Sequence, residues 1–281
     1  MAVILSGNEL SQRLTGEQTE RVKALKAQGI YPGLAVVLVG EDPASQIYVR
    51  NKGIACEAIG IHSQTIRLPE DADQAQLEDT IQRLNEDKKI SGILVQLPLP
   101  KGLDEDAALA KILPEKDVDG FHLINAGKLF TGQETVIPCT PKGILYMLKE
   151  AGIPLEGKEA VIVGRSNIVG KPAAMLLLGE NCTVTLCHSR TRNLAEHTRR
   201  ADILVAAIGK PRFITADMVK PGAAVMDVGI NRVDGKVVGD VDYEPVSKVA
   251  GYITPVPGGI GKMTISMLME NTLEAACRQG R

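Results

Sequence analysis

The sequence predicts two α/β domains, the second a doubly wound, mostly parallel sheet, with a cleft between them. Three observations predict it. Short continuous apolar runs recur along the chain, separated by stretches of helical length, which is the pattern of parallel strands covered on both faces. The run Ala160-Val-Ile-Val163 passes directly into Gly164-Arg-Ser-Asn-Ile-Val-Gly170 and a helix start at Lys171-Pro172. Strand, glycine-bearing turn and helix in succession make this domain Rossmann-like. The 281 residues suffice for two ordinary domains.

In the first half, Leu34 to Val39 is a buried strand, and Pro43 opens a helix that runs to about Ile59. Ser63 to Leu68 and Gly92 to Gln96 are further strands, with a helix near 73–86 between them. Punctuation at Gly127, Gly132, Pro138 and Pro141 marks the junction, so the first domain is expected to span 1–138 and the second 139–263. Strands at 160–163, 183–187, 203–208 and 224–228 then alternate with helical segments near 171–179, 193–200 and 214–219. Asp234-Gly235 signals a hairpin, an antiparallel excursion from the winding. A long helix over 264–281 ends the chain, with packing against the first domain as one option.

Composition narrows the function. A net charge of −2, with basic residues spread among acidic ones, predicts neither a nucleic-acid face nor a membrane patch. Met-Ala-Val-Ile-Leu-Ser at the start lacks the basic lead of a signal peptide, and no apolar run reaches membrane-spanning length, so the expected location is cytoplasmic. The five cysteines are scattered and lack C-x-x-C spacing, which fits small buried residues in a reducing compartment and predicts no metal.

The corner at 164–172 departs from the dinucleotide fingerprint G-x-G-x-x-G. Its middle glycine is missing, and its loop is one residue longer. The next strand ends in His188-Ser189-Arg190 where an acid for the ribose hydroxyls is expected. An acid would repel a 2′-phosphate, whereas Ser189, Arg190 and Arg165 are suited to bind one, so the sequence leans towards NADP over NAD. The alternative is that both arginines are solvated surface charges.

Tyr48 and Lys52 are one helical turn apart and share a face. Spacing alone favours a surface pair, but Gln96, a polar amide that closes a buried strand before Leu97-Pro-Leu-Pro100, is placed for a ligand. Asp117 and Asp119 read either as paired carboxylates for acid–base or cation chemistry, or as an Asp-Gly turn. The four histidines fit no nucleophilic triad and are read as core or surface residues. Pro257-Gly-Gly-Ile-Gly261 lacks the ending of a phosphate loop.

Tyr48-Val-Arg-Asn-Lys52, Val95-Gln-Leu-Pro-Leu-Pro100, Asp117-Val-Asp-Gly-Phe121, Cys139-Thr-Pro141, Gly164 to Pro172, Asp227-Val-Gly-Ile-Asn231 and Thr254 to Gly261, in that order, resemble the bifunctional methylenetetrahydrofolate dehydrogenase/cyclohydrolase family over nearly the whole chain. Lys262 departs from that pattern, which usually has proline there. The resemblance implies oxidation of 5,10-methylenetetrahydrofolate with NADP, then hydrolysis of the methenyl cation to 10-formyltetrahydrofolate, within one-carbon metabolism. Loss of hydride is driven by the folate nitrogen lone pair and needs no strong base, whereas hydrolysis requires proton movement. By resemblance, Lys52 assists that proton transfer, Gln96 orients Lys52, Tyr48 stacks on the aminobenzoate ring and Asp119 accepts from the pterin N–H donors. Gly164, Arg165, Ser166, Ser189 and Ile230 map to cofactor-binding positions, and a homodimer is implied. Two rivals stay open, an NAD-using dehydrogenase without cyclohydrolase activity and a nucleotide sensor without turnover.

Overall fold

The structure, a computed structural model, describes residues 1–280. In chain order it comprises β1 (Val3–Ile4), α1 (Gly7–Ala27), β2 (Gly33–Val39), α2 (Pro43–Ile59), β3 (His62–Leu68), α3 (Gln74–Glu86), β4 (Gly92–Val95), α4 (Glu105–Lys111), α5 (Leu123–Phe130) and α6 (Cys139–Glu150). There follow β5 (Glu159–Val163), α7 (Gly170–Gly179), β6 (Thr183–Cys187), α8 (Leu194–Thr198), β7 (Ile203–Ala206), β8 (Ala224–Asp227), β9 (Asn231–Val233), β10 (Lys236–Val238), α9 (Tyr243–Ser247), β11 (Tyr252–Ile253) and α10 (Ile260–Gln279). The chain divides into two compact units, one of residues 13–139 and 265–280, the other of residues 1–12 and 140–264. The three divisions fall inside α1, at the start of α6 and inside α10.

The first unit is built on a three-stranded parallel sheet in the order β3-β2-β4. All seven residues of the central β2 are buried, as its unbroken apolar run requires. Leu77 and Ile81 of α3 and Ala108 of α4 close over Ala35, Val37, Ile93 and Val95 on one face. Asp42 caps α2 by accepting from Ser45 N at 2.7 Å, with Pro43 in the first turn, and Asp73 and Gln76 form a reciprocal cap on α3. The last helical residues belong here too. Asn271 Nδ2 of α10 donates to Val118 O (2.8 Å) and Ile137 O (2.9 Å), and Gln18 Nε2 of α1 donates to Ser266 O at 2.9 Å. The chain leaves β2 for β3 on one side and returns for β4 on the other, so the carboxyl edge of this sheet is a topological switch point.

The second unit carries a six-stranded sheet in the order β1-β11-β8-β7-β5-β6, parallel throughout. Here β5 is the switch point, flanked by β6 and β7. The hairpin β9–β10 stands apart as an antiparallel pair, turned at Asp234 (φ 50°) and Gly235 (φ 75°).

Several expectations are corrected. Residues 1–12 do not group with the first domain, because β1 adds in parallel to β11 and forms the edge of the larger sheet. The segment 214–219 holds only a 3₁₀ turn at Ala216–Met218, since Ile214 is drawn into a bridge with Val241. Strand β7 ends at Ala206 and not at 208, because Ile208 N leaves the ladder to donate to the Asp240 carboxylate. Cys277 is exposed near the end of α10, whereas the other four cysteines are buried as expected.

Candidate active site

In the first unit the functional side chains gather at the carboxyl edge of the sheet. Gln96 follows β4 and extends its ladder, with Gln96 N donating to Val37 O at 2.9 Å. Its side chain accepts from Lys52 Nζ at 3.0 Å through Oε1 and donates to Leu97 O at 2.7 Å through Nε2. The two bonds together fix which end of the amide faces the ammonium. Lys52 and Gln96 are both half-buried, and Tyr48, one turn earlier on α2, is exposed. The structure therefore pairs Lys52 with Gln96, 44 residues away in sequence, and leaves the Tyr48 ring facing outwards.

The two aspartates after β4 separate into distinct roles. Asp117 is buried and accepts from Gly120 N (3.0 Å), Phe121 N (3.3 Å), His122 N (2.9 Å) and Asn125 Nδ2 (2.8 Å). It is the anchor of an Asp-Gly turn, so the paired-carboxylate alternative fails at this position. Asp119 keeps a partly open surface yet is deeply set among protein atoms. Burial holds its carboxyl above the usual range and the Asp117 charge adds to this, while Lys52 and the Cys139 thiol oppose it.

In the second unit Gly164 follows β5 and is buried at φ 125°. A Cβ on Gly164 would collide with Ala207 O, and one on Gly170 with Gly164 O. The two glycines thus let the loop cross the chain leaving β7 and return on itself. Ser166 Oγ accepts from Val169 N (3.1 Å) and Gly170 N (3.2 Å), so it satisfies donors at the start of α7 and sets the loop's shape. Gly164 N donates to Cys187 O at 2.9 Å, which ties this loop to the end of β6. There His188 N donates to Thr191 Oγ1 at 2.8 Å and Thr191 N to His188 O at 2.9 Å, a turn that leaves Ser189 and Arg190 exposed beside exposed Arg165. After β8, Ile230 is 50% exposed although it follows a buried strand, an apolar side chain presented at a sheet edge where ligands bind. Glycines without room for a Cβ, cationic and hydroxyl groups at the second strand's end and an exposed isoleucine fit a dinucleotide bearing a 2′-phosphate.

Sequence reasoning missed the carboxylates behind Ile230. Asp227 accepts from Gly229 N (3.1 Å), Asp240 N (2.8 Å) and Val241 N (3.0 Å), and Asp240 accepts from Ile208 N (2.7 Å), Gly209 N (3.0 Å), Lys210 N (2.8 Å) and Asn231 Nδ2 (2.9 Å). The available signal was glycine close to aspartate twice, two residues on in Asp227-Val-Gly229 and directly before it in Gly239-Asp240. Burial, reinforced by the Asp240 charge, pushes the Asp227 carboxyl up to about 7 against the pull of its N–H donors. The folded protein then holds a proton between about pH 4 and 7 that the unfolded chain has released, so this group's contribution to stability declines as pH rises through that window. We expect a decline of about 3 kcal/mol across pH 5 to 8, read as a falling urea midpoint. In Asp227→Asn, which cannot titrate, that slope should flatten; an unchanged slope would assign the effect elsewhere.

Among the described residues, no helix is long and apolar enough to cross a membrane. Residues 5–119 match the tetrahydrofolate dehydrogenase/cyclohydrolase catalytic domain, and residues 138–280 match the NAD(P)-binding domain of the same family. The bifunctional protein FolD of Bordetella avium is 61% identical over 278 residues, 99% of this chain and 98% of that protein. The solved structure of bifunctional FolD from Campylobacter jejuni aligns with a TM-score of 0.98 at 50% identity, covering 99% of this chain and 100% of that one. That of the Trypanosoma brucei enzyme, complexed with NADP cofactor and inhibitor, aligns with a TM-score of 0.95 at 40% identity, covering 100% and 99%. With both of its halves matched in order, the chain belongs to the tetrahydrofolate dehydrogenase/cyclohydrolase family.

Proposed function

We propose that this chain oxidises 5,10-methylenetetrahydrofolate to the 5,10-methenyl cation, with NADP taking the hydride, and hydrolyses that cation to 10-formyltetrahydrofolate with release of a proton. The observation that carries the reading is the ammonium of Lys52, held at 3.0 Å by Gln96 Oε1 at the carboxyl edge of a parallel sheet, with the Asp119 carboxyl within reach of the Lys52 charge. Addition of water to the amidinium carbon gives a tetrahedral adduct, and collapse to the formyl product requires a proton to reach one nitrogen. Lys52 is the group positioned to move that proton and to stabilise oxygen charge in the adduct, while Gln96, itself fixed on Leu97 O, restrains the swing of the ammonium. The exposed Tyr48 ring, one turn from Lys52, offers a face to the aminobenzoate. Asp119 accepts from the pterin amino and ring N–H groups, and those donors stabilise the ionised carboxylate that burial alone disfavours.

When bound, NADP supplies the nicotinamide that accepts the hydride. Gly164 and the Ser166-shaped loop hold its phosphates, Arg165 and Ser189 take the 2′-phosphate, and Ile230 packs against an apolar ring face. A homodimer is supported by the first unit, where β3 is an edge strand and α5 exposes Leu123 (78%) and Phe130 (73%), apolar surface suited to a second copy. Tetrahydrofolate derivatives are its small-molecule partners; nothing in its charge calls for nucleic acid. Buried free thiols are in keeping with a cytoplasmic location.

Steady-state rates on methylenetetrahydrofolate with NADP and with NAD test the cofactor assignment. Arg165→Ala with Ser189→Ala should raise the KM for NADP by about 10- to 100-fold and leave that for NAD little changed. Equal losses with both cofactors would refute the 2′-phosphate role, and cofactor binding without reduction would favour a sensor.

A further inference from the structure

Two loops leave the carboxyl edge of the six-stranded sheet beside the Gly164 corner, one at 207–210 after β7 and one at 228–231 after β8. Neither has ladder partners for all its N–H groups, and both turn inwards to one fully buried carboxylate. Ile208 N and Gly209 N donate to Asp240 Oδ2, while Lys210 N and Asn231 Nδ2 donate to Oδ1. Asp240 is held in turn by its own N–H, which donates to Asp227 Oδ1 at 2.8 Å, and Asp227 N is held on Thr254 Oγ1 at 2.8 Å. The fit is close, since a Cβ on Gly229 would strike Asp240 Oδ1 and one on Gly239 would strike Asp227 Oδ2. Loop 207–210 is also the chain on which the Gly164 corner rests, through Ala207 O.

We propose that Asp240 is a positioning residue for the cofactor, its carboxylate drawing loop 207–210 and the segment carrying Ile230 into one preformed edge beneath the dinucleotide. The inference rests on the NADP reading above and adds a residue that touches no substrate. An edge fixed by four donors to one buried carboxylate is rigid before the ligand arrives, so binding does not have to order it. Replacing the carboxylate with an amide turns an NH2 towards at least one of those N–H groups and loosens both loops together.

The family's two activities separate a positioning role from a structural one, because hydrolysis of the methenyl cation consumes no cofactor. In Asp240→Asn we expect the KM for NADP to rise about tenfold or more, with cyclohydrolase turnover on methenyltetrahydrofolate within about twofold of the wild type. If that variant fails to fold, Asn231→Ala, which removes one donor of the four, decides the matter by a smaller rise in the same constant. Parallel loss of both activities, or an NADP KM unmoved in a folded variant, would overturn the proposal. Failure of the wild-type enzyme to reduce NADP would instead overturn the cofactor assignment on which it stands.

Discussion

Lys52→Met should lower the hydrolysis of methenyltetrahydrofolate by about 10²- to 10⁴-fold, the range expected for loss of a positioned proton-transfer group. The methionine retains much of the lysine's apolar length but offers Gln96 Oε1 no donor, so the amide is left oriented towards nothing. Hydride transfer needs no proton from Lys52, so the dehydrogenase reaction should suffer less, and the methenyl intermediate should accumulate while NADPH is formed. Following NADPH formation and loss of the methenyl chromophore in the same sample reads both steps. Gln96→Ala should fall between the variant and the wild type, since the ammonium remains but loses its restraint. Undiminished hydrolysis in Lys52→Met would remove Lys52 from the reaction.

The largest effect on stability is expected at Asp117. Asp117→Ala strands three backbone N–H groups around a buried void and removes one of the two acceptors of Asn125 Nδ2, and the cost of unpaired buried donors should reach about 3–5 kcal/mol. Thermal unfolding should move down by about 10 °C, and calorimetry resolves that easily. Asp119 lies two residues along the same turn, so the folate KM should rise in any variant that still folds. A variant as stable as the wild type would show that the turn is held by other contacts.

The strands that position the candidate residues within each unit were legible because β2, β4, β5 and β7 are continuous apolar runs. Helix α1 was not read. Its inward stripe runs through Leu14, Gln18, Val22 and Leu25, and a glutamine in that stripe, buried only because it bonds Ser266 O, breaks the apolar pattern. Helices α5 and α6 were hidden by Gly127 and by Pro141, which read as punctuation. In α6 the proline lies in the first turn, where it is tolerated, and Gly143 admits Met263 of α10, whose Cβ would stand 3.0 Å from an added one. The Lys52–Gln96 bond could not be derived from spacing, because it depends on β2 lying between β3 and β4. Asp117 and Asp119 are alike in sequence, and only the backbone donors around the former distinguish anchor from ligand.

The two ends of the chain are traded between its halves: β1 completes the larger sheet, and the last turns of α10 serve the smaller one. A gene cut at the apparent junction near residue 138 would give each product a segment the other requires, so neither half is a portable module. Any recombination that exchanged one cofactor specificity for another would have to transplant two pieces at once, residues 1–12 and 140–264.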